Sequence, residues 1–511
     1  MTSHPVVHAR SEPSAHPSPE AWPRSGRRRI VVVPSRALDR WHEPVAETQA
    51  YEERLLSFLF ELRDPHLEIT YVSSMPVASA TVDYHLSMLP ASLRGTARQR
   101  LDLIALGDHD PRPLSQRLLE RRSALEQIRR TIRPSRQAWL IPYNSTTAER
   151  DLGRALGIPV YGPDPVHAHL GTKSGARALF VGAGVRHPLG VERLRGVTDA
   201  VRAISRLRDA KPELSQLIVK LDRGVSGEGN AIIDLADLPA PGAAAVDRLV
   251  ERRVRSIVPE VASVSATVFL DKLAAQGGVV EERITGVELR SPSVQLNITP
   301  AGRVEVIATH DQILGGRSAQ QYVGCRFPAD PAYARAITAP AQRVALKLAA
   351  AGVVGRFAID FVVARRAGGQ WQPFAVELNL RMGGTTHPQQ TLLCLTGGAY
   401  DAKRATFITP SGEPRHYVAK DYLETPELGR LGVEGVLAVA DQRRLMWDAQ
   451  RGTGAVFHML GTFQQLGRVG VTAIAENPHA ADAHYQSVEA ALSRASRRRL
   501  NSPGSRGRAA A

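Results

Sequence analysis

Two apolar runs joined by a turn-rich break are the feature that most constrains the fold of this 511-residue chain. The first run is Ala358–Val363, and the second, Phe374–Arg381, alternates apolar with polar residues. Such alternation is typical of a half-buried strand, and the intervening Arg366-Ala-Gly-Gly-Gln favours a hairpin. The sequence therefore predicts two paired strands that present polar side chains on one face.

These polar side chains include three oxygen ligands that suit a metal ion. Glu377 and Asn379 stand two residues apart and project from the same face, and Asp360 lies in the facing run. Mg²⁺ usually takes one or two carboxylates together with phosphate oxygens, so the trio predicts a magnesium site, which Mn²⁺ could also occupy. On the trio alone, an ordinary solvated strand face is an equally good interpretation.

An upstream segment favours the metal interpretation. Gln216–Lys220 is an apolar run that ends in a lysine, and a Gly-rich loop and another apolar run follow it. The glycines allow backbone N–H groups to approach phosphate oxygens, and Lys220 adds a positive charge. The predicted nucleotide-binding residues of this loop are Gly224, Ser226, Gly227 and Gly229.

The order of these motifs, a lysine before a Gly-rich loop and later Asp and Glu-x-Asn-x-Arg, resembles the ATP-grasp superfamily. By that resemblance, Glu281 and the backbone near Ile284 would face the adenine of ATP, and Glu288 would face the ribose hydroxyls. Lys173 would be the first phosphate-binding lysine, an interpretation that we prefer to an ordinary solvated helix position. The resemblance thus implies ATP and a divalent metal as cofactors.

Within this superfamily the chain resembles the pheganomycin-type peptide ligases, an amino-acid-ligase-like branch. The segments that carry this resemblance begin at Glu288, Thr309, Tyr322 and Glu377. It implies a peptide-bond-forming ligase that joins a small carboxylate to an amine or peptide through an acylphosphate and releases ADP and phosphate. An ATP-grasp kinase and a nucleotide-binding module without turnover remain alternatives. Dimers are common among such ligases, so the resemblance is compatible with a homodimer.

Three arginines are candidates for stabilising the negative charge that builds on oxygen in such a reaction. Arg381 shares a strand face with Asn379, Arg356 precedes Asp360 by four residues, and Arg317 lies in a Gly-containing loop that could close over the phosphates. His310 and His387 could act as bases, but a lone histidine is more often a packing residue, and their roles stay open.

Other nucleotide and metal motifs fail on their spacing. The P-loop pattern is missing around Lys173, and Gly182-Ala-Gly184 lacks the third glycine of a dinucleotide fingerprint. The two cysteines, Cys325 and Cys394, are too few for a disulfide framework or a cysteine-rich metal centre.

The predicted fold class is mixed α/β and α+β. Apolar runs alternate with amphipathic segments from Ile30 to about Gly162, which indicates a Rossmann-like domain, and the family resemblance then implies a two-lobed ATP-grasp domain. The expected boundaries are a basic tail at 1–29, a pre-ATP-grasp domain at 30–165, an ATP-grasp domain at 166–420, a C-terminal cap or substrate segment at 421–490 and a second basic tail at 491–511.

The net charge of +15 does not indicate a nucleic-acid partner. Residues 1–29 hold five Arg and two Glu, and residues 492–511 hold six Arg and no acid, so most of the excess lies in the tails. Their Pro-, Ser- and Arg-rich composition predicts solvated disorder rather than a recognition surface. Because the sequence shows neither a signal peptide nor an apolar run long enough to span a bilayer, we expect a cytoplasmic protein without a membrane partner.

Overall fold

The computed structural model describes residues 26–39, 41, 45–135, 137–225, 227–239, 246–424, 428–461 and 463–500. No helix within these ranges combines the length and the apolar character that a membrane crossing needs. Both predicted tails lie mostly outside these ranges, and so does Ser226 of the Gly-rich loop.

The N-terminal unit is a four-stranded parallel sheet covered on both faces. Along the first strand, Ile30 and Val32 pack into one apolar cluster, whereas Val31 and Val33 pack into another on the opposite face. This explains its continuous apolar run, because a parallel strand is buried on both sides. The strand order is β3-β2-β1-β4. The elements are β1 Arg28–Val33, α1 Val45–Glu52, a 3-10 helix Glu53–Arg63, β2 Leu67–Ser73, α2 Ser79–Ser87, α3 Ala91–Gln99, β3 Leu101–Ala105, α4 Leu114–Glu120, α5 Arg122–Ile132, β4 Gln137–Pro142 and α6 Thr147–Leu156.

The middle unit is a small antiparallel sheet with strand order β5-β9-β6-β7-β8. Its core lies between this sheet and three helices, with Ile204, Val250 and Phe269 fully buried. The elements are a 3-10 helix Pro165–Gly171, α7 Lys173–Gly182, β5 Gly190–Leu194, α8 Val197–Ala210, β6 Gln216–Leu221, β7 Asn230–Asp234, α9 Val246–Arg255, β8 Val258–Pro259, α10 Ala266–Gln276 and β9 Gly278–Glu282.

The third unit is built on a large sheet that has nine strands within the described ranges, in the order β10-β14-β11-β12-β13-β18-β20-β19, with β15 on β14. The longest helix of its first part, α11, packs Ile337, Val344 and Leu348 against β11 and β14. This part contains β10 Glu288–Arg290, β11 Pro292–Ile298, β12 Val304–Gly315, β13 Gln321–Phe327, α11 Pro331–Ala350, β14 Gly355–Arg365, β15 Gln372–Asn379, α12 Thr386–Thr396, β16 Ala399–Asp401 and β17 Thr406–Ile408.

The C-terminal segment completes this same sheet. β18 pairs antiparallel with β13, and β20 lies between β18 and β19. Its elements are β18 His416–Glu424, a 3-10 helix Leu428–Leu431, α13 Gly432–Gln442, β19 Gly454–His458, α14 Phe463–Leu466, β20 Arg468–Ala475 and α15 Pro478–Leu500. The expected boundary at residue 420 thus falls inside a strand, and the expected tail from 491 begins inside α15.

Short sequence motifs decide the structure at the end of the N-terminal unit. The helix after Thr146 has a capping box with Glu149 and ends at Gly157, which has a φ of 71°. The apolar run from Ile158 to Tyr161 makes only one bridge, between Val160 and Leu140. Pro159 inside this run has no N–H to donate, which explains the missing ladder.

Candidate active site

The predicted metal ligands converge on one hairpin. β14 and β15 pair antiparallel, with Asp360 opposite Glu377 and Ala358 opposite Asn379. A bulge follows Asp360 directly, and such bulges commonly re-aim side chains next to active sites. The amide nitrogen of Asn379 lies 3.0 Å from Oδ2 of Asp360. All three side chains line a cavity of about 610 Å³.

The two carboxylates of this hairpin have opposite pKa shifts. Burial and the nearby charge of Glu377 raise the pKa of Asp360 to about 6. Burial would also raise the pKa of Glu377, but Lys173, whose Nζ lies 2.7 Å from its Oε1, lowers it. Two adjacent carboxylates with an amide oxygen form a hard, anionic donor set, and this set fits Mg²⁺ or Mn²⁺.

The Gly-rich loop connects β6 to β7 and reaches the same cavity. Gly227 and Glu228 contribute to the cavity wall, and Lys173 donates a hydrogen bond to the carbonyl of Gly224 at 3.0 Å. The two strands of the loop approach so closely that a Cβ atom on Gly224 would lie 2.6 Å from the Cα of Gly229. This approach explains why glycine occupies both positions.

The residues expected to contact adenine and ribose lie on β9, on β10 and on the segment between these strands, which joins the middle unit to the large sheet. Glu281 is buried and forms ion pairs with Lys220 at 2.6 Å and Arg177 at 2.7 Å. Burial would raise the pKa of Glu281, but these two cations lower it. Ile284 is partly buried, and Glu288 pairs with Arg365 at 2.6 Å.

The three candidate arginines occupy different environments. Arg381 lines the cavity and donates hydrogen bonds to Oδ1 of Asn379 at 2.8 Å and to the carbonyl of Met382 at 3.1 Å. Arg317 is exposed in a separate groove beside Ser318, and Arg356 is buried near Tyr161. In the described part of the chain, only Arg381 of the three therefore contributes to the wall of the main cavity.

The two histidines are buried and neutral. His310 lies 2.6 Å from the hydroxyl of Tyr417, and burial lowers its pKa to about 3. The pKa of His387 is lowered to about 3 by burial and by His458. Its Nε2 atom lies 3.3 Å from Oδ1 of Asp421, which His458 contacts at 3.2 Å.

Several cavity residues come from segments that the motifs did not single out. Two follow the carboxyl ends of parallel strands in the N-terminal unit, where α/β sheets commonly bind ligands, so their position is a signal that could have found them. The others are brought in by tertiary packing and leave no local pattern. The additional charged and aromatic lining residues are Arg36, Tyr51, Arg54, Tyr143, Lys420, Asp421, Tyr422, Arg468, Tyr485 and Glu489.

Comparison with family models identifies two segments. Residues 245–403 match the model described as "IQCH-like, ATP-grasp", and residues 436–488 match the "PGM1 C-terminal domain". The second match covers most of the segment 421–490, which the sequence analysis describes as a C-terminal cap or substrate segment.

Comparison with individual proteins covers nearly the whole chain. The L-propargylglycine–L-glutamate ligase of Streptantibioticus cattleyicolor is 32% identical over 476 residues, which are 91% of this chain and 94% of the relative. The biotin carboxylase domain of the Hydrogenobacter thermophilus 2-oxoglutarate carboxylase is 12% identical, with a TM-score of 0.52 over 90% of this chain and 89% of that chain.

A second solved structure shows the same fold. The ADP complex of N5-carboxyaminoimidazole ribonucleotide synthetase is 13% identical, with a TM-score of 0.50 over 91% of this chain and 96% of that chain. These findings agree with the fold class that the sequence predicts. The chain belongs to the ATP-grasp superfamily and is an ATP-dependent carboxylate–amine ligase.

Proposed function

We propose that the enzyme joins the carboxylate of one amino acid to the amino group of a second amino acid or peptide. The observation that carries this proposal is the convergence of Asp360, Glu377, Asn379 and Arg381 on one cavity, with Lys173 on Glu377. The relative's name specifies L-propargylglycine and L-glutamate, so we expect small L-amino acids as substrates.

The charges around the cavity suit an acylphosphate route. A carboxylate and the γ-phosphate of ATP repel each other, so cations must lower the barrier to their reaction. Asp360, Glu377 and Asn379 would hold Mg²⁺, with Mn²⁺ as an alternative, and the bound metal would neutralise phosphate charge. Lys173 and Lys220 would hold the phosphates, and the Gly-rich loop would cover them with backbone N–H groups.

Arg381 would act on the acyl group. Its guanidinium is anchored on Asn379, and it can reach a carboxylate or the oxyanion that forms when the amine attacks. Removing one oxyanion donor typically costs about 3–4 kcal/mol of transition-state stabilisation. Glu281, Ile284 and Glu288 remain our proposed adenosine contacts. Arg317 and Arg356, which lie away from the cavity wall, would act only after a rearrangement.

Amino-acid coupling tests this function directly. The purified chain would be incubated with MgATP and pairs drawn from L-glutamate and the other common L-amino acids. We expect ADP, phosphate and a product lighter by one water than the two substrates, all of which should be lost in Glu377→Gln. A stable phosphorylated product from one substrate would instead identify a phosphate-transfer enzyme.

We also propose a cytoplasmic homodimer. The solved carboxylase domain of similar fold is described as a dimer, and a cytoplasmic location would supply ATP. Light scattering after size-exclusion chromatography measures the oligomeric state. Cell fractionation measures the location.

A further inference from the structure

Two buried arginines of the N-terminal unit lie against one aromatic ring in the cavity wall. The guanidinium carbons of Arg36 and Arg54 lie 4.1 and 4.0 Å from the centre of the Tyr51 ring. Each of these residues is less than a tenth exposed, and all three line the cavity. An aromatic face favours a nearby cation and holds its planar guanidinium in a fixed place.

The position of Arg54 is also fixed by an ion pair. It pairs with Asp421, and Oδ1 of Asp421 contacts the ring nitrogens of His387 at 3.3 Å and His458 at 3.2 Å. Burial would raise the pKa of Asp421, but Arg54 and these histidines lower it well below its usual range. Asp421 is therefore ionised, and its position fixes that of Arg54.

Tyr143 lines the same cavity as these arginines. It follows β4 directly. Burial would raise the pKa of Tyr143, but Arg381, Arg54 and Arg36 together lower it. These three cations therefore act electrostatically on the same hydroxyl, and Asp421 opposes their effect.

Positive charge is in excess at this wall. Arg381 has no carboxylate oxygen within 4.0 Å among the residues that the structure describes, and its hydrogen-bond partners are uncharged oxygens. Buried charges are costly unless they are paired, and arginine forks match the geometry of a carboxylate. The wall is therefore complementary to an anion that the substrate brings.

We propose that Arg36, Arg54 and Tyr143 form a subsite for the carboxylate of an amino-acid substrate that does not react. This inference rests on the proposed function, and it makes the enzyme selective for amino acids with an ionised α-carboxylate over simple amines and amides. The carboxylate belongs either to the amine substrate or to an acyl donor that reacts through a side-chain carboxylate, as L-glutamate can. ATP phosphates are assigned to Lys173 and Lys220, which belong to a different unit of the fold.

The test compares each amino acid with its α-carboxamide in the full-length enzyme. For a productive pair, the amine substrate is replaced in one arm. In the other arm, a donor that reacts through its side-chain carboxylate, such as L-glutamate, is replaced, so that the reacting group is kept and the two arms separate a donor carboxylate from an acceptor carboxylate. We expect kcat/KM to favour the acid over the amide in one arm by about 10- to 100-fold, as is typical for hydrogen bonds to charged groups.

The variants remove the guanidinium groups of the subsite. Arg36→Met removes one guanidinium, and Arg54→Met combined with Asp421→Asn removes both members of an ion pair. Arg404→Met, at the exposed turn between β16 and β17, is the matched control. In the two subsite variants we expect the preference for the acid to fall to about twofold or less, with ATP affinity unchanged, whereas the control should retain it.

Three outcomes would overturn the inference. These are equal use of acid and amide by the unmodified enzyme, an undiminished preference in the subsite variants, or a loss of ATP affinity that identifies the arginines as phosphate ligands. If no pair gives product, the proposed function fails but the subsite can still be tested. Calorimetric titration of L-glutamate and its α-carboxamide into the enzyme with MgADP then decides, since only a carboxylate subsite prefers the acid.

Discussion

The ammonium of Lys173 lies 2.7 Å from the carboxylate of Glu377, although 204 positions separate the two residues in the sequence. One comes from a helix of the middle unit and the other from a strand of the large sheet. The contact therefore joins the proposed phosphate-binding and metal-binding groups. Because of this contact, a mutation at either residue should affect the role of the other.

Single and double substitutions measure that coupling. We expect Glu377→Gln to reduce kcat about a thousand-fold, because a bound cation contributes several kcal/mol to the stabilisation of transition-state charge. Lys173→Met should also reduce kcat. The fold reduction of kcat in the double variant should be smaller than the product of the two single fold reductions, because the residues share one contact. Steady-state kinetics of all four proteins test this, and strictly multiplicative effects would contradict it.

A methyl group on Gly224 should disturb the proposed phosphate loop. Its Cβ would lie 2.6 Å from the Cα of Gly229 and force the two strands of the loop apart. We expect Gly224→Ala to weaken ATP binding at least about tenfold, since loop N–H groups must be aligned to cradle phosphates. Calorimetry with ATP measures the change.

A matched glycine provides the control for that experiment. Gly95 lies in α3, and a Cβ atom there would meet nothing within 4 Å. We expect Gly95→Ala to retain ATP affinity and to gain up to about 1 kcal/mol of stability from helix propensity. Equal losses of affinity in both variants would mean that the close approach at Gly224 is unimportant.

His310 should prove structural rather than catalytic. It is fully buried, and its ring contacts the hydroxyl of Tyr417 at 2.6 Å. We expect His310→Gln to lower the free energy of unfolding by about 1–3 kcal/mol through an unsatisfied partner, with kcat changed less than about threefold. Chemical denaturation and a pH–rate profile check this, and the loss of one limb of the profile would identify His310 as a catalytic base.

The buried carboxyl of Glu53 should make stability depend on pH. Burial raises its pKa from 4.5 to about 7, although the N–H of Gly461 donates to it at 2.8 Å. The folded state therefore favours the protonated, neutral carboxyl of Glu53. The stabilisation that this preference gives is fully present below pH 4.5 and is lost as the pH rises to 7.

Substitution with glutamine removes that dependence. We expect the stability of Glu53→Gln relative to the unmodified enzyme to increase by up to about 3 kcal/mol between pH 5 and pH 8, at 1.36 kcal/mol per pKa unit. Urea denaturation at the two pH values gives the difference. A difference that is constant with pH would show that Glu53 ionises alike in both states.

Sequence periodicity predicted the site wherever a single hairpin builds it. Asp360, Glu377 and Asn379 converge because alternation fixes the face on which each side chain lies, and the strands are adjacent in the sequence. Arg54 and Tyr51 could not be found in this way. Their place in the cavity depends on how the N-terminal unit packs on the large sheet, which local patterns do not encode.

The same distinction between strand periodicity and tertiary packing explains why Arg381 lies on the cavity wall and Arg356 does not. Arg381 continues the strand of the metal ligands and lies on the cavity wall, as strand spacing implies. Arg356 also has even spacing from Asp360, but it lies at the start of β14. There the N-terminal unit covers it, with Tyr161 nearby. Even spacing gives the face of a strand but not the extent of a cavity.

The pairing of β13 with β18 makes the C-terminal segment inseparable from the nucleotide-binding part of the enzyme. Truncation before His416 would expose the backbone of β13 as an unpaired edge and invite aggregation. The segment also supplies Lys420, Tyr485 and Glu489 to the cavity wall. Transferring substrate preference between relatives would therefore require grafting β18 with its hydrogen-bond register together with α15, because an exchange of surface loops would leave these wall residues behind.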